Sequence, residues 1–200
     1  EQISKSYGER KLLDDVSFYL QEGEKVGLIG INGTGKSTLL RLLTGEEEPD
    51  GGKRTCANHV VIRFLSQEAK FAPQDTVLES VLAAENAAGM GDKSEIKGSA
   101  WVTESDVKAM LTRLGVTDFD QPCGELSGGQ RKRLALVAAL VFPSDILVLD
   151  EPTNHLDNEM SDWLEEYLKK WRGTLVMVTH DRYFLDSVAG RIVEIDQGKL

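Results

Sequence analysis

The sequence lacks the features that mark secreted and membrane-spanning proteins. Among 200 residues there are only two cysteines, Cys56 and Cys123, and they form neither a metal-type nor a redox-type pair, so we expect two reduced thiols. The longest uninterrupted apolar run, Leu134–Phe142, is far shorter than the ~20 residues that a bilayer crossing needs. No secretory signal peptide is recognisable. These absences favour a cytoplasmic protein with no segment inserted in a membrane.

An excess of positive charge is also absent. The chain has 23 Lys and Arg against 33 Asp and Glu, which gives a formal net charge of −10. Such a chain is not shaped electrostatically to coat nucleic acid, and we do not expect DNA as a partner. The short basic run Arg131–Arg133 is interpreted as a solvated helix face rather than as a binding patch.

The remaining composition is that of a soluble globular domain. Apolar residues make up 40% of the chain and charged residues 28%, and 200 residues correspond to one domain or to a core with one subdomain. The chain begins without Met and stops at Leu200 with no tail. We therefore expect a domain that belongs to a longer protein.

Strand and helix patterns alternate along both ends of the chain. The predicted strands are Val16–Leu20, Lys25–Ile29, Val60–Leu65, Ile146–Leu149, Leu175–Val178 and Arg191–Ile195. The predicted helices are Lys36–Thr44, Thr76–Ala88, Thr103–Leu114, Gly128–Leu140, Glu159–Trp171 and Asp181–Val188. This alternation predicts an α/β fold with a mainly parallel sheet covered by helices, and with a helical insertion near Ala69–Gly124 that contains a loop at Gly89–Ala100.

A glycine-rich segment has the pattern of a phosphate-binding loop. Gly30 to Ser37 reads Gly-Ile-Asn-Gly-Thr-Gly-Lys-Ser, and it stands between the apolar strand Val26–Ile29 and an amphipathic helix. Glycines permit a tight turn whose main-chain N–H groups point at an anion, and the helix offers its positive end to the same anion. Lys36 would lie between the outer two phosphates, and the Ser37 hydroxyl can ligate Mg²⁺.

Two acidic residues follow a buried strand. Ile146–Leu149 leads directly into Asp150 and Glu151, and ligands of open α/β sheets bind at the carboxyl ends of the strands. Asp150 would reach Mg²⁺, and Glu151 would polarise the water that attacks the γ-phosphate. Phosphoryl transfer demands mainly positioning and charge neutralisation, so one base and a set of cations suffice.

Further motifs stand in the order that is typical of ATP-binding cassette proteins. Leu126–Gln130 resembles the signature motif, Gln67 the glutamine loop, His180 the switch histidine and Asn154–Asp157 the D-loop. Tyr7 resembles the aromatic residue that stacks on adenine. The resemblance covers essentially the whole chain. It implies an α/β P-loop NTPase fold of the ABC cassette type, with an inserted helical subdomain and an antiparallel β part near the N-terminus.

The resemblance also assigns the domain limits and the site. It implies a core at residues 1–68 and 132–200 and a helical subdomain at 69–131, in a longer tandem-cassette protein. The implied catalytic residues are Lys36, Gln67, Glu151 and His180, and the implied magnesium ligands are Ser37, Gln67 and Asp150. The implied ATP-binding residues are Tyr7, Gly30, Asn32, Gly33, Thr34, Gly35, Lys36, Ser37, Thr38, Ser127, Gly128, Gly129 and Gln130.

In this family the signature motif acts on a second cassette. Ser127, Gly128 and Gly129 open a helix, which makes a second anion-binding end. In related proteins that end contacts the γ-phosphate held by the opposite cassette, so two cassettes enclose two ATP molecules head to tail. The resemblance therefore implies a partner cassette, from the same parent chain or from a second copy, and we expect the isolated chain to bind ATP but to hydrolyse it slowly.

Two phrases resemble the ABC-F branch, whose members carry two cassettes and no membrane domain and act on ribosomes. They are Asp150–Asp157 and Thr179–Asp186, and Arg191–Leu200 resembles the close of a first cassette. The expected function is thus ATP hydrolysis in a ribosome-associated translation or antibiotic-resistance factor. The stretch 69–124 is too short for the long arm that many members insert there. The alternatives are the nucleotide-binding subunit of a membrane transporter and a DNA-repair cassette, although the sequence has no coiled-coil or zinc insertion.

Overall fold

The computed structural model describes residues 1–67, 70–87 and 102–200, with the main chain only at 86 and 87. The predicted loop Gly89–Ala100 lies outside these described residues. Within them, none of the helices combines the length and the apolar character that a membrane crossing requires.

A parallel sheet forms the centre of the fold. Its five strands are β3 (Lys25–Ile29), β4 (Ile62–Leu65), β5 (Ile146–Asp150), β6 (Thr174–Val178) and β7 (Arg191–Glu194), in the order β4-β5-β6-β3-β7. All four pairings are parallel, so the carboxyl ends of β3, β5 and β6 meet at one edge. Asp150 ends β5, and the segments that follow the three strands carry the glycine-rich loop, Glu151 and His180.

A small antiparallel sheet precedes the main sheet, as the family resemblance implied. It consists of β1 (Ile3–Tyr7) and β2 (Arg10–Val16), with Ile3 opposite Val16 and Tyr7 opposite Arg10. The strand predicted at Val16–Leu20 is wrong, because β2 ends at Val16. Phe18 and Leu20 instead pack as half-buried side chains against the core. Apolar side chains can be buried without pairing of their main chain with another strand, so their apolar character does not establish a strand.

The helices lie within one or two residues of their predicted limits. They are α1 (Lys36–Thr44), α2 (Val77–Ala87), α3 (Glu104–Arg113), α4 (Gly128–Leu140), α5 (Asn158–Lys170) and α6 (Arg182–Val188), with a 3₁₀ turn at Cys123–Glu125. Capping residues explain several starts. Thr103 and Asp106 form a capping box at α3, and Ser127 and Gln130 form another at α4.

The core lies on both faces of the main sheet because successive side chains of a strand point to opposite faces. On β5, Leu147 and Leu149 belong to a large cluster formed with α2 to α6, whereas Val148 belongs to a second cluster that contains Leu39 and Leu40 of α1. The helices of the insertion thus share a core with the sheet. The division into a core at 1–68 and 132–200 and a subdomain at 69–131 stays a prediction.

Candidate active site

The glycine-rich loop connects β3 to α1 and takes a conformation that requires glycine at two points. Gly35 caps α1 with a φ of 103°, a left-handed value that other residues rarely adopt. A Cβ atom on Gly30 would stand 2.5 Å from the carbonyl oxygen of Ile195, which a side chain cannot tolerate. The loop is therefore pressed against the segment after β7, and its main chain can curl around an anion at the start of α1.

Lys36 supplies a buried cation to this loop. The residue is only 9% exposed. Its ammonium donates to the carbonyl oxygens of Gly30 at 2.7 Å and Ile31 at 3.1 Å. Both acceptors are neutral groups of the loop itself. A phosphate oxygen is a stronger acceptor because it carries charge, so a bound phosphate can draw the ammonium away from them.

The two acids at the end of β5 are buried next to the loop. Asp150 is 1% exposed and Glu151 is 4% exposed. The amide nitrogen of Gln67 donates to Oδ1 of Asp150 at 3.3 Å, so two of the three implied magnesium ligands are in contact. Their oxygens and the Ser37 hydroxyl are hard donors of the kind that Mg²⁺ takes in combination with phosphate oxygens. The residues present therefore fit a magnesium ion.

Glu151 and His180 form a pair across the ends of β5 and β6. The main-chain N–H of His180 donates to Oε2 of Glu151 at 3.2 Å, and its ring Nε2 lies 3.3 Å from Oε1. Burial raises the pKa of Glu151, an effect that His180 opposes. Glu151 has a φ of 54°, and its N–H donates to the carbonyl of Val178 at 2.8 Å. The strained backbone is thus fixed by β6.

One cleft of about 560 Å³ brings most of the predicted residues together. This size is within the usual range for small-molecule sites. Its lining includes the predicted residues Asn32, Gly33, Gly35, Lys36, Ser37, Thr38, Gln67, Glu151 and His180. Gly30 and Thr34 belong to the loop without lining the cleft. The Thr34 hydroxyl donates to the carbonyl of Ile31 at 2.9 Å and so braces the turn.

The signature residues are not brought into this cleft. Ser127, Gly128, Gly129 and Gln130 are absent from its described lining. Ser127 and Gln130 bond to each other at the start of α4, with Ser127 N to Gln130 Oε1 at 3.0 Å and Gln130 N to Ser127 Oγ at 3.2 Å. Gly129 faces His155 of the D-loop, which a Cβ atom would approach to 3.6 Å.

Tyr7 lies beside the cleft rather than in its described lining. It is 47% exposed, and its hydroxyl donates to Oε1 of Glu47. The side chain of Thr38, in the first turn of α1, also lies next to that hydroxyl. The ring therefore borders the end of α1 that carries Lys36.

Sequence reasoning missed several residues of the site. Lys132 lines the cleft on α4, and Arg10 donates to the carbonyl of Gly33 at 2.8 Å. The interpretation of Arg131–Arg133 as a solvated helix face is wrong, since Arg131 donates to the carbonyls of Cys123 and Leu126 and Arg133 to that of His155. A basic run on a helix gives no sign of which cation faces which neighbour, so only the fold reveals these contacts.

Comparison with known proteins places the chain among nucleotide-binding domains. Residues 13–154 match the sequence profile of the ABC transporter family. The chain is 40% identical to the uncharacterized ABC transporter ATP-binding protein YfmR of Bacillus subtilis, with 100% of this chain and 36% of that protein aligned. It is 34% identical to the energy-dependent translational throttle protein EttA of Mycobacterium tuberculosis, with 100% and 40% aligned. It is 38% identical to the tylosin resistance ATP-binding protein TlrC of Streptomyces fradiae, with 97% of this chain and 41% of that protein aligned.

The chain thus spans roughly two fifths of the length of these curated relatives. Among solved structures, the dimeric cassette MJ0796 bound to ADP and Pi superposes with a TM-score of 0.82 at 26% identity, covering 100% of this chain and 94% of the other. An archaeal ABCE1 in complex with the ribosomal stalk protein aP1 superposes with a TM-score of 0.75 at 30% identity, covering 96% and 35%.

Proposed function

The chain belongs to the ATP-binding cassette family, with relatives of the ABC-F type, and on that premise we propose that it binds Mg-ATP in the cleft beside Lys36 and hydrolyses it with Glu151 as the base. The observation that carries the proposal is the composition of one cleft. The same cleft is lined by a buried ammonium and a phosphate-type loop and by a buried carboxylate paired with a histidine.

Each side chain has a defined task in this proposal. The loop amides and Lys36 hold the β- and γ-phosphates, because they provide donors and a cation in a site of low dielectric constant. Glu151 accepts a proton from the attacking water as the water oxygen bonds to the γ-phosphorus and the bond to the β-γ bridging oxygen breaks. The products are ADP and phosphate. The raised pKa of Glu151 makes it a better proton acceptor than an exposed glutamate.

His180 and Gln67 are proposed to orient the reacting groups. His180 is 64% exposed at its side chain although its ring contacts the buried Glu151, so one edge of the ring faces the cleft and can donate to the γ-phosphate. Gln67 touches Asp150 and lines the same cleft. Magnesium, when bound by the Ser37 hydroxyl with Asp150 and Gln67 nearby, would neutralise charge on the phosphate oxygens.

We propose that two cassettes complete each site. The signature residues Ser127 to Gln130 lie outside the cleft of their own chain, and Ser127 begins a helix of 13 residues whose amino end can receive an anion. This placement suits contact with ATP held by another cassette. The likeness to a dimeric ADP-bound cassette supports the same arrangement.

For the parent protein we propose a cytoplasmic role at the ribosome. The support comes from relatives named as a translational throttle protein and a tylosin resistance protein, and from the structural likeness to a protein solved with a ribosomal stalk protein. The alternative is a nucleotide-binding subunit of a membrane transporter. The likeness to the ATP-binding subunit of an ABC transporter, at 21% identity, shows the shared fold alone and does not favour this role.

Sedimentation of the full-length protein separates these two roles. The Glu151→Gln variant with Mg-ATP should hold the ATP-bound state, and it should pellet with ribosomes through a sucrose cushion. The variant without nucleotide, and a Lys36→Ala variant with ATP, serve as controls that should remain in the supernatant. A Glu151→Gln protein that binds ATP but never pellets with ribosomes, and instead co-purifies with a polytopic membrane protein, would refute the ribosomal role.

A further inference from the structure

A network of charged residues surrounds the Tyr7 hydroxyl, which also lies next to Thr38 in the first turn of α1. Lys5 and Tyr7 lie two residues apart on β1, and both side chains contact Glu47, which follows the C-terminal end of α1. The hydroxyl of Tyr7 donates to Oε1 of Glu47, and the ammonium of Lys5 lies 3.1 Å from the same oxygen. One carboxylate oxygen therefore joins the tyrosine and the lysine.

Glu47 is itself held in place. Its main-chain N–H donates to the carbonyl of Arg41 at 3.3 Å, and the exposed fraction of its side chain is only 20%, against 13% for Lys5. Lys5 also donates to the carbonyl of Glu48 at 2.7 Å and to Asp50 at 3.2 Å. Hydrogen bonds of this kind, made by charged groups that are partly withdrawn from water, are stronger than exposed ion pairs.

The same segment is bonded to the main chain of β1. Asp50 accepts the N–H of Ser6 at 2.8 Å, and its own N–H donates to the carbonyl of Ser4 at 2.9 Å. The residues that leave α1 are thus attached to the strand that carries Tyr7. Because α1 begins at Lys36 and carries Thr38 beside the Tyr7 hydroxyl, this attachment holds the ring next to the start of the helix that follows the phosphate loop.

These contacts restrict both torsions of the Tyr7 side chain. The hydrogen bond to Glu47 fixes the position of the hydroxyl and hence the direction of the ring axis. The Lys5 ammonium lies over one face of the ring at 5.8 Å from its centre, which opposes rotation about that axis. A cation therefore lies over one face of the ring, and the ring is 47% exposed, so part of its surface is accessible to a planar ligand.

We propose that Glu47, with Lys5, is a positioning residue that holds the Tyr7 ring ready to stack on the base of the nucleotide. The inference rests on the proposed ATP site and extends it. It assigns part of the affinity for the adenine base to the carboxylate of Glu47, which does not line the cleft. The glutamate acts through the tyrosine. Its removal leaves the phosphate loop unchanged but releases a ring that must then be ordered when ATP binds.

The pKa values of the network agree with this geometry. The hydrogen bond to Glu47 raises the pKa of Tyr7, and bonds from Tyr7 and Lys5 lower the pKa of Glu47 although burial opposes them. Across the neutral range of pH, where the protein would meet ATP, Tyr7 therefore keeps its proton and Glu47 its charge, so the hydrogen bond between them is retained.

Titration calorimetry with two probes tests the proposal. Mg-ATP reports base and phosphates together, whereas magnesium tripolyphosphate reports the phosphate loop without a base. Glu47→Ala should weaken Mg-ATP binding by about threefold to tenfold, the usual cost of ordering one side chain on binding, and should leave tripolyphosphate binding unchanged. Glu48→Ala is the matched control, since Glu48 is an exposed neighbour that contacts Lys5 only through its main chain, and it should change neither affinity.

Tyr7→Phe provides an independent variant that keeps the ring and removes the hydroxyl. It should weaken Mg-ATP binding, and the double variant should bind no more weakly than Glu47→Ala alone, because Glu47→Ala already removes the bond from the hydroxyl. Equal losses for Mg-ATP and tripolyphosphate, or an unchanged Mg-ATP affinity, would overturn the proposal. A parent chain that binds neither probe would instead refute the ATP site itself.

Discussion

Glu151 and His180 are joined by two contacts, one to each carboxylate oxygen. The main-chain N–H of His180 reaches Oε2 at 3.2 Å, and ring Nε2 lies 3.3 Å from Oε1. The segment after β6 therefore fixes the carboxylate that follows β5, and both groups border the cleft that contains Lys36. If Glu151 is the base, as we propose, a carboxylate held by these two contacts needs little reorganisation when a water molecule enters, which favours catalysis.

Replacing the base should separate binding from hydrolysis. We expect Glu151→Gln to retain Mg-ATP affinity and to lose about 10²- to 10⁴-fold in kcat, the range for removal of a general base. Steady-state phosphate release and nucleotide titration measure the two quantities. Glu22→Gln, the same change at an exposed residue, is the control and should hydrolyse ATP at the rate of the unmodified chain. A Glu151→Gln protein with the parent kcat would show that another group is the base.

The pH dependence of hydrolysis should report the histidine. Burial raises the pKa of Glu151, and His180 lowers it through its charge and its N–H. The base is active only when ionised, so kcat should fall as pH decreases through this raised value. His180→Ala removes the opposing ring, and the acidic limb of the kcat profile should then move to higher pH while kcat itself decreases. An unmoved limb would mean that His180 does not control the ionisation of Glu151.

The ionised carboxylate of Glu151 should lower the free energy of unfolding at neutral pH. Its pKa in the folded chain is raised above the ordinary 4.5, so the folded state binds the proton more tightly than the unfolded state does. The contribution of Glu151 to the free energy of unfolding is therefore fully present below pH 4.5, and it is lost as the pH rises through the raised pKa. Glu151→Gln removes this loss and should raise the Tm at pH 8, by about 2–4 °C for each kcal/mol recovered. The gain should shrink at pH 5.5, and an equal gain at both values would contradict the explanation.

Composite sites predict complementation between two inactive variants. Ser127→Arg blocks the signature end, and Glu151→Gln removes the base, so each homogeneous protein should hydrolyse ATP slowly. In a mixed pair, one site combines Glu151 of the first chain with Ser127 of the second and is intact. Mixing should restore activity, on the order of a quarter of the parent rate for random pairing in equal amounts. No recovery in a mixture that forms pairs would indicate that each chain completes its own site.

Much of this architecture could be predicted from the sequence, because local chemistry determines it. The limits of α1 and α4 were predicted correctly from glycine-rich starts and leucine-rich faces. Gly30–Ser37, Asp150 and Glu151 were placed at strand ends by their position after apolar runs, and the structure brings them to one edge of the sheet.

The contacts between distant segments were not predictable in the same way. The β1–β2 pairing joins residues with little apolar alternation, and the strand predicted at Val16–Leu20 fails because its apolar side chains beyond Val16 are half-buried without pairing to another strand. Lys132, Arg10 and Glu47 are ordinary surface residue types by sequence. Their contacts with the cleft, the loop and Tyr7 depend on how helices and strands pack, and no short pattern encodes that packing.

Titration calorimetry of the folded chain with Mg-ATP, compared between the unmodified chain and Lys36→Ala, shows whether the loop binds nucleotide through Lys36. We expect saturable one-site binding for the unmodified chain and no detectable binding for the variant, since the buried ammonium of Lys36 is the cation that the loop supplies. Circular dichroism should show that both proteins are equally folded. No heat from the unmodified chain, or the same affinity in both proteins, would contradict nucleotide binding through Lys36.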